Sequence, residues 1–174
     1  AEFPRPFNSG DAPHLGAPAL APEAAVAALR LPAGFKAELF AAEPDVQNPL
    51  AMTWDARGRL WVAENYTYSE AAINFDLKLR DRIVIFEDTD GDGHFDKRTV
   101  FWDEGKRLTS IALGFGGVFA TCPPKLIFIP DADHDDRPDG EPQVLLDGFD
   151  ADKVRHTLAN GLKFGPVGWL YGRH

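Results

Sequence analysis

A single cysteine, Cys122, stands among 174 residues. One cysteine cannot form an intrachain disulfide or a cysteine-rich zinc site, and it leaves no CxxCH haem-attachment motif in this chain. It closes an apolar run and reads as a buried, inert thiol. Basic side chains are also in short supply: 18 Lys and Arg face 27 Asp and Glu, a net charge of -9. That balance excludes nucleic-acid backbones and anionic membrane surfaces as partners. No apolar run approaches the ~20 residues of a membrane span. No signal-peptide pattern opens the chain, and it begins on Ala rather than Met, which reads as a leader removed or a cut chain.

What is present suffices for one globular domain with a real core, since hydrophobic residues make up 44%. Residues 1–34 read as an arm rich in Pro, Ala and Gly followed by a short helix, "APEAAVAALR" at 21–30. Pro22 suits the first turn of that helix, Glu23 its dipole and Arg30 its end. From Phe35 the pattern changes to strands broken by Gly, Asp and Pro turns. "FKAELFAAEP" reads as one strand and "LAMTWDARGRLWVAEN" as two around an Asp-x-x-Gly turn. "RIVIFED" and "RTVFWD" flank an acidic loop.

An internal repeat organises these strands. Arg82–Phe86 overlays Lys125–Ile129, and Asp88, Asp90, Asp92 and Asp96 then fall on Asp131, Asp133, Asp135 and Asp139, an offset of 43 residues. "NGLKFGPVGWLYG" overlays "LAMTWDARGRLWV" as a third start. Four short strands recurring about every 40–50 residues predict all-β structure of the β-propeller type. Blade one runs over about 48–103, blade two over about 108–149, and blade three starts near 157 and stops after two strands. "FKAELFAAEP" becomes the outer strand closing a last blade. Two and a half blades do not close a ring of about four to eight, so the sequence reads as an incomplete propeller, 35–174, behind its arm and helix.

Both acidic loops join the third strand of a repeat to the fourth. Asp88, Asp90, Asp92 and Gly93 match positions one, three, five and six of a calcium loop, with Asp96 at nine. His94 adds a nitrogen ligand to this set and is assigned no catalytic role; nor are His14 and His134. Thr99 stands where a bidentate Glu would close an EF-hand, and strands flank the loop. It reads either as a calcium-stapled hairpin or as a solvated Asp/Gly turn. The second loop has Asp136 in place of the glycine and Pro138 stiffening it. Any calcium here is expected to be structural.

The opposite face gathers the remaining chemistry. Gln47 and Asn48 precede blade one; Glu64, Asn65, Tyr66, Tyr68 and Arg80 lie on the long insertion after its second strand. Lys106 and Arg107 precede blade two, where they suit an anionic cofactor or substrate. Arg155, His156 and Asn160 precede blade three, and Arg173 and His174 end on the same side. His156 is the residue whose ordinary pKa suits a general base near neutral pH; its alternative is a hydrogen-bonded structural histidine.

"GFKAELFAAEPDVQNPLAMTWDARGRLWVAENYTY", "RIVIFEDTDGDGHFDKRTVF" and "HTLANGLKFGPVGWLYGRH" resemble the predicted membrane-bound dehydrogenase family of PVC-type bacteria over residues 22–174. The propeller of that family is similar to glucose/sorbosone dehydrogenases, and many members carry a later c-type haem domain. The resemblance implies an exported or periplasmic six-bladed propeller that uses pyrroloquinoline quinone (PQQ) to oxidise a sugar or alcohol and passes electrons to the haem. It puts His156 in the place of the base, with one residue more before the Gly-Pro than the related enzymes have. Lys106, Arg107 and Asn160 then stand as cofactor-binding, Gln47, Asn65 and Tyr66 as substrate-binding. This chain alone is expected to be inactive. The competing expectations are a non-catalytic propeller recognising glycans or a protein, with Tyr66 and Tyr68 stacking, and a calcium-stabilised scaffold without a ligand.

Overall fold

The computed structural model describes residues 20–68, 75–150 and 158–173. The protein is all-β apart from one helix, α1 (Pro22–Ala27), which begins on a proline and carries Glu23 in its first turn. The helix is shorter than expected and buries none of its residues.

Two four-stranded sheets follow, each an antiparallel meander. The first orders β1 (Pro49–Trp54), β2 (Leu60–Glu64), β3 (Asp81–Glu87) and β4 (Lys97–Gly105) in sequence. The second orders β5 (Ser110–Leu113), β6 (Gly117–Cys122), β7 (Lys125–Pro130) and β8 (Gln143–Asp147). A third pair, β9 (Asn160–Phe164) and β10 (Leu170–Arg173), repeats the opening hairpin. The first strands β1, β5 and β9 contact one another in succession, so the three sheets meet along them. The β1–β2 turn is built by Asp55, whose Oδ1 accepts the backbone N–H groups of Arg57 and Arg59, both at 2.9 Å. Gly58 at φ 79° supplies the left-handed residue that this turn requires.

The β-branched run of β3 decides how the sheets pack. Alternate side chains point to opposite faces. Ile83 and Ile85 face the second sheet and join Trp61, Phe101, Leu108, Ile111, Val118, Ala120 and Ile129 in the inter-sheet core. Val84 and Phe86 face the other way, with Leu60 and Val62, and are covered by Phe40, Ala41, Val46 and Phe95. Fully burying each such side chain contributes roughly 1.5–3 kcal/mol.

That covering corrects one expectation. Residues 35–44, expected as a strand, belong to none. The segment lies across the outer face of the first sheet, where Phe40 and Val46 fill the layer over Phe86, and the Phe40 carbonyl accepts the Phe95 amide at 3.4 Å. Cys122 is half-buried rather than buried, and burial pushes its thiol up to about 12, which leaves it protonated and inert near neutral pH.

Candidate functional site: a cleft at the leading ends of the first strands

A cleft of about 450 Å³ opens where β1, β5 and β9 begin and β2 and β10 end. Asn65, Tyr68, Phe75, Ser110, Asn160 and Arg173 line it with Leu158 and the start of β1. Tyr68 and Phe75 pair as an isolated antiparallel bridge, and their rings meet edge to face at 5.7 Å. Gly161 at the cleft takes a left-handed φ of 71°, a backbone conformation that a side chain would strain. Arg173 donates to Asn160 Oδ1 at 3.2 Å, and Asn160 donates to the Leu158 carbonyl at 2.9 Å.

Asn65 is locked from three sides. Its Nδ2 donates to the Leu108 carbonyl at 2.8 Å, and its Oδ1 accepts the Tyr68 amide at 2.8 Å and faces the Thr67 hydroxyl at 3.3 Å. Behind it Asp81, wholly buried, accepts from Thr67 N at 2.7 Å, Thr67 Oγ1 at 2.9 Å and Leu108 N at 2.7 Å. Burial raises Asp81 to about 6 against these donors. Aromatic rings, carboxamides, hydroxyls and one guanidinium thus face the cleft. The described lining holds no carboxylate, histidine or thiol, and the Tyr68 phenol is its described group of a proton-transfer type.

Of the expected substrate-binding residues, only Asn65 reaches this cleft. Tyr66 is buried and donates to Glu64 Oε2 at 2.8 Å, with the Arg82 guanidinium 5.2 Å over its ring. Burial and then the Glu64 carboxylate push its phenol well above its ordinary value. The Gln47 amide donates to Glu64 Oε1 at 2.9 Å and its side chain turns to the Pro44 carbonyl. Both residues bond to Glu64, a fully buried carboxylate also paired with Arg98 at 3.2 Å, and neither lines the cleft.

The expected cofactor-binding set is split too. Asn160 lines the cleft, whereas Lys106 and Arg107 line a separate recess with Trp102, Cys122 and Pro123. Arg107 Cζ stands 5.4 Å over the Phe75 ring and its amide donates to Thr67 Oγ1 at 3.1 Å. His156 lies outside the described residues. Leu158, two positions on, lines the cleft.

The first acidic loop brings carboxylate oxygens of Asp88, Asp90 and Asp96 within 4.8 Å of one another. Asp88 is itself a turn-builder: Oδ1 accepts the Gly91 amide at 2.7 Å and Oδ2 the Gly93 amide at 2.9 Å. These amide donors hold it below the usual carboxylate range. Asp96 accepts the Thr89 hydroxyl at 2.7 Å and its amide at 2.9 Å. Asp92 and His94 stand outside this group, because the Asp92 carboxylate turns to the His94 amide at 2.7 Å. Three of the five residues expected from spacing, Asp88, Asp90 and Asp96, thus stand together.

A family model described as Domain of unknown function (DUF7133) matches residues 21–174. The chain belongs to that family. No curated protein and no solved structure matches it. The match begins at the helix and takes in the cleft and both acidic loops of this DUF7133 domain. Phe75, Thr109 and Ser110 are among the cleft residues that sequence reasoning missed. Thr109 and Ser110 stand at the start of a strand, where the Thr109 hydroxyl donates to the Ala159 carbonyl at 2.5 Å and Ser110 Oγ accepts the Leu162 amide at 2.8 Å. A pair of hydroxyl residues at a repeat start was the signal available in the sequence.

Proposed function

We propose that the cleft binds a neutral, polyhydroxylated small molecule, a sugar or alcohol, on the face of a propeller-type scaffold. The observation that carries this reading is the lining: an aromatic pair, two carboxamides and a guanidinium at the leading ends of three successive first strands. Aromatic faces cover the C–H surface of a sugar ring, while the Asn160 carboxamide and the Arg173 guanidinium meet its hydroxyls and the buried Asn65 holds the wall in place. The propeller reading is supported by the successive contacts of β1 with β5 and of β5 with β9 and by exposed apolar side chains, Leu50, Met52 and Trp54 at the first hairpin and Val167, Trp169 and Tyr171 at the last. Neighbouring blades would cover them.

Saturation-transfer NMR with a panel of aldoses and alditols tests the binding. Saturation is expected for at least one of them, and Asn160→Ala is expected to weaken that ligand about tenfold through lost hydrogen bonds. No saturation across the panel, or stronger binding of a small dicarboxylate than of any sugar, would sink the reading.

A dehydrogenase is the second reading, favoured by Leu158 lining the cleft two residues after His156. His156 would be its base, holding the proton of the substrate hydroxyl. PQQ would supply the hydride acceptor, but the two cations expected for its carboxylates line another recess, so the described cleft fits the sugar better than the quinone. Dye reduction by the quinone-loaded chain, abolished in His156→Gln with sugar binding retained, would establish this reading. Sugar binding without quinone uptake would leave the binding module.

A further inference from the structure

The second acidic loop, between β7 and β8, is the poorer calcium pattern by sequence, with Asp136 at the glycine position and Pro138 behind it. Side-chain surroundings reverse that ranking. In the first loop Asp88 has donors on both oxygens. Asp131, at the matching position of the second, is only 4% exposed, and its Oδ1 meets no hydrogen-bond donor of the protein. A carboxylate oxygen withheld from solvent and from donors is strongly disfavoured unless a cation completes it.

Oxygens of Asp131, Asp133 and Asp139 lie within 4.8 Å of one another. Asp139 Oδ2 accepts the Ala132 amide at 2.5 Å and Asp133 Oδ1 the Asp135 amide at 3.2 Å, bonds that use one oxygen of each. The residue that breaks the pattern is turned away from this group. Asp136, at φ 70°, gives its two carboxylate oxygens to Arg59 at 2.6 and 2.8 Å, across to the first sheet. The sixth position is therefore an anchor, and positions one, three and nine are left to face a ligand.

We propose that Asp131, Asp133 and Asp139 hold a divalent cation of the calcium class, and that this loop binds it more tightly than the first. Three hard oxygen donors without histidine or cysteine select calcium over zinc, and a short loop with two exposed ligands tolerates its longer bonds. Pro142 occupies the position where a bidentate Glu would stand, so the affinity belongs with weak modules, Kd ~10⁻⁴–10⁻³ M.

Calcium titration of the chelator-treated chain by calorimetry, with melting temperature read in parallel, tests this. The double variant Asp88→Asn, Asp90→Asn is expected to keep the tighter site within about twofold of wild type, while Asp131→Asn weakens it more than tenfold and abolishes the calcium-induced rise in melting temperature. In chelator Asp131→Asn should melt no lower than wild type, since it removes a buried charge; that readout separates a lost ligand from a lost fold. Should it fail to fold, Asp133→Asn, at an exposed position, must show the same loss of binding. Unchanged binding in the second-loop variant, loss of all binding in the first-loop variant, or no heat and no melting shift up to about 10 mM calcium would overturn the proposal.

Discussion

Arg59→Ala is expected to lower the unfolding free energy by about 3–5 kcal/mol, the cost of removing one partner from a buried ion cluster. The Arg59 side chain is 4% exposed and bridges two carboxylates that are themselves 14% exposed. Its Nε reaches Asp55 Oδ2 at 2.8 Å, and its two terminal nitrogens take both oxygens of Asp136. Asp55 shapes the β1–β2 turn and accepts the Trp61 indole at 3.0 Å, while Asp136 belongs to the loop after β7. One guanidinium thus joins the first sheet to the second. Arg59 holds Asp136 below the usual carboxylate range; at Asp55 burial opposes, but the Trp61 and Arg59 donors outweigh it. Both depressed groups stabilise the fold above about 3.8, and that contribution is lost as pH falls through their lower folded values. Arg57→Ala is the matched control, because Arg57 is 54% exposed and reaches the same Asp136 at 3.2 Å. Its loss should stay within about 1 kcal/mol. Urea midpoints of the two variants decide the matter: equal shifts would mean that Arg59 does not join the sheets. Arg59→Lys should rescue little, since a single ammonium cannot take both Asp136 oxygens in a fork.

The strands were legible because their signals are local. Arg82–Phe86 is a β-branched and aromatic run bounded by charge, and the 43-residue echo at Lys125 placed its counterpart in β7. Residues 35–44 read as a strand but take no strand partner among the described residues, and a local pattern cannot tell a paired edge from a segment lying flat over Phe86. The site was legible by position rather than by role. Asn65 and Asn160, polar residues at strand ends, do meet in one cleft. Tyr66 sits beside Asn65 in sequence yet turns inward, because Glu64 is buried and its oxygens attract the phenol, the Gln47 amide and Arg98. Asp136 looked like a flaw in a calcium loop; its partner Arg59 lies 77 positions away, a separation over which spacing carries no signal.

Asp81→Asn should compare increasingly well with wild type as pH rises, the difference in unfolding free energy moving by about 3 kcal/mol between pH ~3 and ~8. Asp81 is wholly buried, and burial lifts it from 3.8 to about 6 in the folded chain. The folded state therefore holds this proton more tightly than the unfolded one. That stabilisation is full below about 3.8 and is lost as pH climbs through about 6. Asparagine cannot ionise, so the variant lacks the term, and carboxylates common to both chains cancel in the difference. Asparagine also offers one acceptor oxygen to donors that now share two, which sets a roughly constant offset of about 1–3 kcal/mol against the variant. Urea unfolding of both chains at three pH values measures the slope, and a flat difference would show that Asp81 titrates normally. The same proton reaches the cleft through Thr67, whose hydroxyl has one hydrogen to give. With Asp81 ionised that hydrogen goes to its carboxylate at 2.9 Å, and Asn65 Oδ1 at 3.3 Å goes without it. Once Asp81 is protonated it can donate to Thr67 instead, and the Thr67 hydrogen turns to Asn65, so this carboxamide at the cleft gains a donor as the pH falls through about 6.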